Sequence, residues 1–166
     1  MAELGTPEQA KATKQDVPEW LIRTIWATHR AVYRLLGRRA LRPATPRQWG
    51  MLRLTTVGRR TGRARVAIVG FIEDGANVVV PAMNGWMDPE PAWWLNLQSN
   101  PDARVTLPGG STRAVTARAA VGDERRRLWK AFVDLQSSAF KDELAALRSR
   151  ETSLVVLEPR NRAAPE

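Results

Sequence analysis

Cysteine is absent from this 166-residue chain, and histidine occurs once, at His29. The first absence removes disulfides, thiolate metal sites and cysteine nucleophiles together, and it fits a reducing compartment. The second argues against a histidine-rich metal centre and against most imidazole-based acid/base schemes. No apolar run reaches the length needed to span a bilayer, and the polar first residues lack the apolar segment of a secretion signal, so a cytoplasmic location is expected. Neither a Gly-x-Gly-x-x-Gly fingerprint nor a Gly-Lys-Ser phosphate loop occurs, which leaves nucleotide sites of those kinds without support. Acidic residues are in deficit, 17 against 26 basic ones, for a formal net charge of +9. A surface of that sign attracts polyanions: nucleic acid, anionic lipid, or a small ligand carrying several carboxylates and phosphates. The arginines are spread over several elements and no nucleic-acid-binding motif accompanies them, so nucleic acid ranks last among these.

What is present centres on residues 55–65, Thr-Thr-Val-Gly-Arg-Arg-Thr-Gly-Arg-Ala-Arg. A β-branched run closes at Val57, another opens at Val66, and Gly58 and Gly62 mark turn positions, so the stretch reads as a hairpin. Arg59, Arg60, Arg63 and Arg65 crowd its loop beside Thr61, and the glycines allow backbone N–H groups to approach an anion. Such a loop suits phosphate or carboxylate; the alternative is a solvated hairpin tip.

Around it the chain reads as one domain, large enough to bury roughly two-thirds of its unfolded surface. Residues 1–45 comprise a polar tail and a helix bracketed by Pro18 and Gly37, with Leu21, Ile25, Val32 and Leu36 on one face and Arg23, Arg30, Arg34 and Arg38 on another. That helix is expected to pack over the end of the domain, with peripheral contact to an anionic membrane as the alternative. Residues 46–160 form the main body and 161–166 a tail. Strands are expected at 51–57, 66–73 and 77–82, the last two joined by Asp74-Gly75. A short helix at 92–99 starts at Pro91 and ends at Asn100-Pro101. A hairpin follows, 103–107 and 111–120 about Pro108-Gly109-Gly110. Next comes a helix from Gly122-Asp123 to about Gln136, buried through Leu128, Trp129, Phe132 and Leu135, with Arg125, Arg126 and Arg127 on its solvated face. A last strand covers 153–157. About six strands in antiparallel hairpins, with helices inserted rather than alternating, point to an α+β, mainly β fold, a β-barrel with helical additions.

Thr56-Val57-Gly58-Arg59-Arg60-Thr61-Gly62, Arg65, the Asp74-Gly75 turn, and Pro91-Ala92-Trp93-Trp94-Leu95-Asn96-Leu97 through Asn100-Pro101 together resemble the deazaflavin-dependent nitroreductase family, the A branch of the flavin/deazaflavin oxidoreductases. The resemblance implies a split β-barrel related to FMN-binding proteins, binding the deazaflavin F420 rather than FMN. The tail of F420 carries a phosphate and a chain of glutamates. By the same resemblance Arg59, Arg60, Thr61 and Arg65 would hold that tail, and the backbone of Val66, Ala67 and Ile68 would line the ring. Pro81, Ala82, Met83 and Asn84 would form the opposite wall, with Ala92, Trp93, Trp94 and Asn96 closing the site. Arginine suits the tail because its planar fork binds carboxylate and phosphate bidentately.

The implied activity is reduction of an electron-poor acceptor, a quinone, enone or nitro compound, with no catalytic nucleophile or metal supplied by the protein. The family often places a serine and a lysine where this chain has Met83 and Asn84, and substrate-side tyrosines where it has Gly70 and where residues 136–142 offer only Phe140. These departures point to a bulkier or more apolar acceptor, bordered by Gly70, Met83, Trp86 and Phe140. The rival from another class is a non-catalytic barrel that carries a fatty acid or similar amphipathic ligand. Monomer and homodimer are both compatible with the resemblance.

Overall fold

A computed structural model describes residues 41–84, 89–135 and 151–160. The expected helix at 18–36, the stretch 137–150, and Trp86 and Phe140 lie outside the described residues. The described elements run β1 (Gly50–Val57), β2 (Ala64–Asp74), β3 (Asn77–Pro81), α1 (Ala92–Ser99), β4 (Asp102–Thr106), β5 (Thr112–Ala119), α2 (Gly122–Asp134) and β6 (Leu154–Pro159).

The six strands close into an antiparallel barrel in the order β1-β2-β3-β6-β5-β4, with β4 returning to β1. Alternation along β1 sets the inside: Leu52, Leu54 and Thr56 are buried, whereas Arg53 and Val57 are exposed. Leu52, Leu54, Phe71, Val80, Val105, Val115, Val155 and Leu157 fill the interior together with Trp93, Trp94 and Leu97 of α1. At β6 four successive residues are buried because both faces are covered. Val155 and Leu157 belong to the interior, and Leu154 and Val156 to a second cluster with Leu128 and Phe132 of α2.

Helix α1 begins after Pro91, whose carbonyl accepts the Trp94 N–H at 3.0 Å, and it ends where Asn100 precedes Pro101. Helix α2 carries Asp123 and Glu124 in its first turn, where the helix dipole favours negative charge. Arg126 and Arg127 are exposed as expected and Arg125 is half-buried, and each has an acidic partner. Arg125 pairs with Glu151 at 2.6 Å, donates to the Thr152 carbonyl at 3.1 Å and lies over the Trp129 ring. Arg127 makes a two-pronged pair with Asp74 at 2.7 and 3.0 Å, and Arg126 pairs with Asp123. Asp74 and Glu151 are far from the helix in sequence, so folding alone brings these partners to it.

The pairing of β2 is uneven. Against β1 it is continuous from Gly50↔Phe71 to Val57↔Ala64. Against β3 it is confined to Ile72↔Val79, Glu73↔Val78 and Asp74↔Asn77. Beyond Val79 the third strand turns to β6, pairing from Val78↔Leu157 to Pro81↔Leu154. Residues 64–71 of β2 are thus paired on one edge only among the described residues. Proline at position 81 has no N–H to offer back to that edge. This is the split in the barrel.

Candidate cofactor site at the split

The arginine loop sits at one end of the open edge. Its backbone is tightly closed: the Gly58 N–H donates to the Arg63 carbonyl at 2.9 Å, and the Gly58 carbonyl accepts from Thr61 and Gly62 at 3.1 and 2.8 Å. Gly62 takes φ 64°, a conformation side chains disfavour. At Gly58 a Cβ would lie 3.1 Å from the Arg63 oxygen and 3.2 Å from Arg65 Cγ, so the Arg65 stem occupies the space a larger residue would need. Arg65 in turn donates to Thr61 Oγ1 at 3.3 Å.

A buried amide anchors this loop to α1. The Arg59 N–H donates to Asn96 Oδ1 at 3.1 Å, and Asn96 Nδ2 donates to Thr56 Oγ1 at the same distance. Asn96 and Thr56 are both buried polar side chains, so each satisfies the other. Asn96, expected among the cofactor contacts, holds the backbone of Arg59 in the structure.

Among the described residues no carboxylate pairs with Arg59, Arg60, Arg63 or Arg65, all of which are exposed. The contrast lies with the arginines of β5 and α2. Arg118 binds Glu124 at 2.6 Å and Glu158 at 2.7 Å, which raises its pKa further and lowers that of Glu124. Asp74 is likewise lowered by its hydrogen bonds from Arg127. Among the described residues, acids therefore pair with the arginines around α2 and not with those of the loop.

Beside the loop, Val66 is 52% exposed and Ala67 and Ile68 are half-buried along the open edge. On the β3 side Pro81 and Ala82 are buried, Met83 and Asn84 half-buried, and the Ala82 N–H is held by the Ser153 carbonyl at 2.8 Å. Trp93 and Trp94 are buried with ring centroids 6.5 Å apart, and Ala92 at the start of α1 is exposed. The Trp94 indole N–H is buried with no acceptor among the described residues. Gly70 is covered: a Cβ there would come within 3.0 Å of Trp49, which meets Phe132 edge-on at 5.0 Å. Trp49, just before β1, was not singled out from sequence, where an aromatic ahead of a strand carries no distinguishing signal. Among the described residues the site thus combines exposed guanidiniums at one end, strand backbone paired on one edge only along the side, and apolar walls.

Comparison with known proteins gives the family and the fold. The sequence model of the F420H(2)-dependent quinone reductase family matches residues 27–159. A Mycobacterium tuberculosis (strain ATCC 25618 / H37Rv) protein, Rv3178, named provisionally as an F420H(2)-dependent quinone reductase, is 34% identical over 102 residues, covering 61% of this chain and 83% of its own. A solved F420-H2 dependent reductase, FDR-A, superposes with TM-score 0.57 at 24% identity over 65% of this chain and 93% of its own. A solved domain-swapped dimer gives TM-score 0.58 at 21% identity over 82% and 99%. At those identities the two structures establish the shared fold. The chain belongs to the F420H(2)-dependent quinone reductase family and is an F420-dependent reductase built on a split β-barrel.

Proposed function

We propose that the arginine loop grips the phosphate and first carboxylates of F420, that the ring lies in the split along Val66, Ala67 and Ile68, and that a quinone is the acceptor. The observation that carries this reading is the juxtaposition, among the described residues, of four exposed arginines without carboxylate partners and a strand edge without a pairing neighbour. Arg59, Arg60 and Arg65 present forked donors to the anionic end, and Thr61 adds a hydroxyl. Asn96 acts through Arg59, keeping its backbone in place so that the loop is formed before the ligand arrives. The backbone N–H and C=O groups of residues 66–68 orient the ring polar edge, while Pro81, Ala82 and Met83 exclude water from the far wall. Trp93 and Trp94 close the site from α1, and the buried Trp94 N–H supplies a donor for a ring or acceptor oxygen. When bound in its reduced form, F420 supplies the hydride that the acceptor takes up.

The protein contribution is then placement and exclusion of water rather than side-chain reactivity. Gly70 beneath Trp49, together with Met83, gives the acceptor side an apolar, aromatic character suited to a quinone ring. Monomer and homodimer are both compatible with this reading. Mixing the protein with reduced F420 and a soluble naphthoquinone, and following the return of oxidised-deazaflavin absorbance, tests the activity. Quinone turnover well above that with a nitroimidazole is expected; turnover of neither, or preference for the nitroimidazole, contradicts the reading.

A further inference from the structure

Trp49 marks a boundary on the outer face of β2. Ala67, Val69 and Phe71 belong to the barrel interior, so the alternating positions Val66, Ile68, Gly70 and Ile72 face outward. Their cover changes along the strand. Ile72 is buried in the second cluster with Phe132 of α2, and Gly70 is roofed by Trp49. Ile68 is half-buried, and Val66 is 52% exposed. The open part of this face therefore ends at Trp49, one outward position, or about 7 Å, beyond Ile68. Met83 borders the same second cluster from the β3 side.

The contact depends on glycine at position 70. A Cβ there would lie 3.0 Å from Trp49 Cε3 and 3.3 Å from Cζ3, so even a methyl group would press on the six-membered ring of the indole. On its other side the indole meets Phe132 edge-on, with centroids 5.0 Å apart and planes at 62°, and Phe132 is itself fully buried. Strand and helix thus hold the indole in one orientation, while Trp49 remains half-buried. That placement decides what it can touch. With the cofactor ring along residues 66–68, an acceptor stacked on that ring extends towards Gly70 and meets the indole. Indole is electron-rich and a quinone ring electron-poor, and flat π-systems attract in offset or edge-on contact. Gly70 and Met83, the other described groups on that side, have no π face.

We infer that Trp49 is a specificity-determining residue, an aromatic wall that selects flat, fused-ring, electron-poor acceptors over non-planar ones, and that Gly70 is required to admit it. The inference rests on the proposed position of the cofactor ring in the split. It makes the preference among acceptors the joint property of a residue ahead of β1 and one on β2, neither of which contacts the arginine loop's anion.

The test uses naphthoquinone as the flat fused-ring acceptor and cyclohexenone as the non-planar one. Calorimetry measures naphthoquinone binding to protein saturated with oxidised F420, where no turnover occurs, and steady-state kinetics with reduced F420 gives KM and kcat for both acceptors. Wild type is compared with W49L, W49F, G70A and W49L/G70A, with F420 affinity and melting temperature measured for each. W49L should weaken naphthoquinone binding and raise its KM about three- to tenfold, the worth of one aromatic pair. The KM for cyclohexenone should change far less, and F420 affinity should stay at the wild-type value. W49F should keep most of the preference. G70A should weaken naphthoquinone binding on its own yet add little to W49L, because the ring it displaces is then absent. A preference for naphthoquinone that survives in W49L, or effects of W49L and G70A that simply add, overturns the role of Trp49. Should W49L melt below the assay temperature, an unchanged preference in G70A overturns it instead. A wild type that binds F420 but turns over neither acceptor overturns the proposed function rather than this inference alone.

Discussion

Asn96 Oδ1 accepts the backbone N–H of Arg59 at 3.1 Å, joining positions 37 residues apart, and the Arg59 guanidinium reaches the same oxygen at 3.5 Å. One buried side chain thereby ties the loop to the helix that plugs the barrel. Replacing Asn96 by Ala removes all three of these side-chain hydrogen bonds and strands Thr56 Oγ1 in the interior, at a cost of about 1–3 kcal/mol in stability. N96D should keep an acceptor for Arg59 yet place a negative charge beside it, so that F420 affinity falls more than stability does. Parallel thermal melts and binding titrations check both; N96D binding F420 as tightly as wild type would show that Asn96 has no influence on the loop.

Gly50 is a packing requirement. A Cβ there would stand 2.3 Å from the Phe71 ring and 2.7 Å from the Ala44 backbone nitrogen. Phe71 is among the most deeply buried side chains, so it has nowhere to retreat. G50A should therefore destabilise the fold by about 1–3 kcal/mol through overpacking, read as a lowered melting temperature.

The ion pairs of α2 give stability an acid limb. Asp74 and Glu124 both titrate below their ordinary values because Arg127 and Arg118 donate hydrogen bonds to their ionised forms. A lowered folded pKa adds stability that is complete above the unfolded value, at about pH 4, and is lost as pH falls through the folded value. D74N/E124Q should accordingly melt lower than wild type near neutrality and converge with it in strong acid. A gap that persists unchanged at low pH contradicts the assignment.

Much of this architecture is legible in the residues themselves. β-branched runs, the Asp74-Gly75 and Pro108-Gly109-Gly110 turns, and Pro91 ahead of α1 place the elements close to where they stand, because each is a local preference. The arginine loop announces itself by composition. The pairings that complete the picture join distant positions: Asn96 with Arg59, Asp74 with Arg127, Trp49 with Gly70. None has a local signature. Trp49 becomes significant only once Gly70 is found beneath it.

The central claim is that the loop at 58–65 holds the anionic end of F420, and titration of R59A/R60A with oxidised F420 tests it most directly. After solvent screening each lost contact is worth about 1 kcal/mol, so the account predicts affinity lowered roughly thirtyfold with a shallower salt dependence and an unchanged melting temperature. Wild-type affinity and salt dependence in that variant would contradict it.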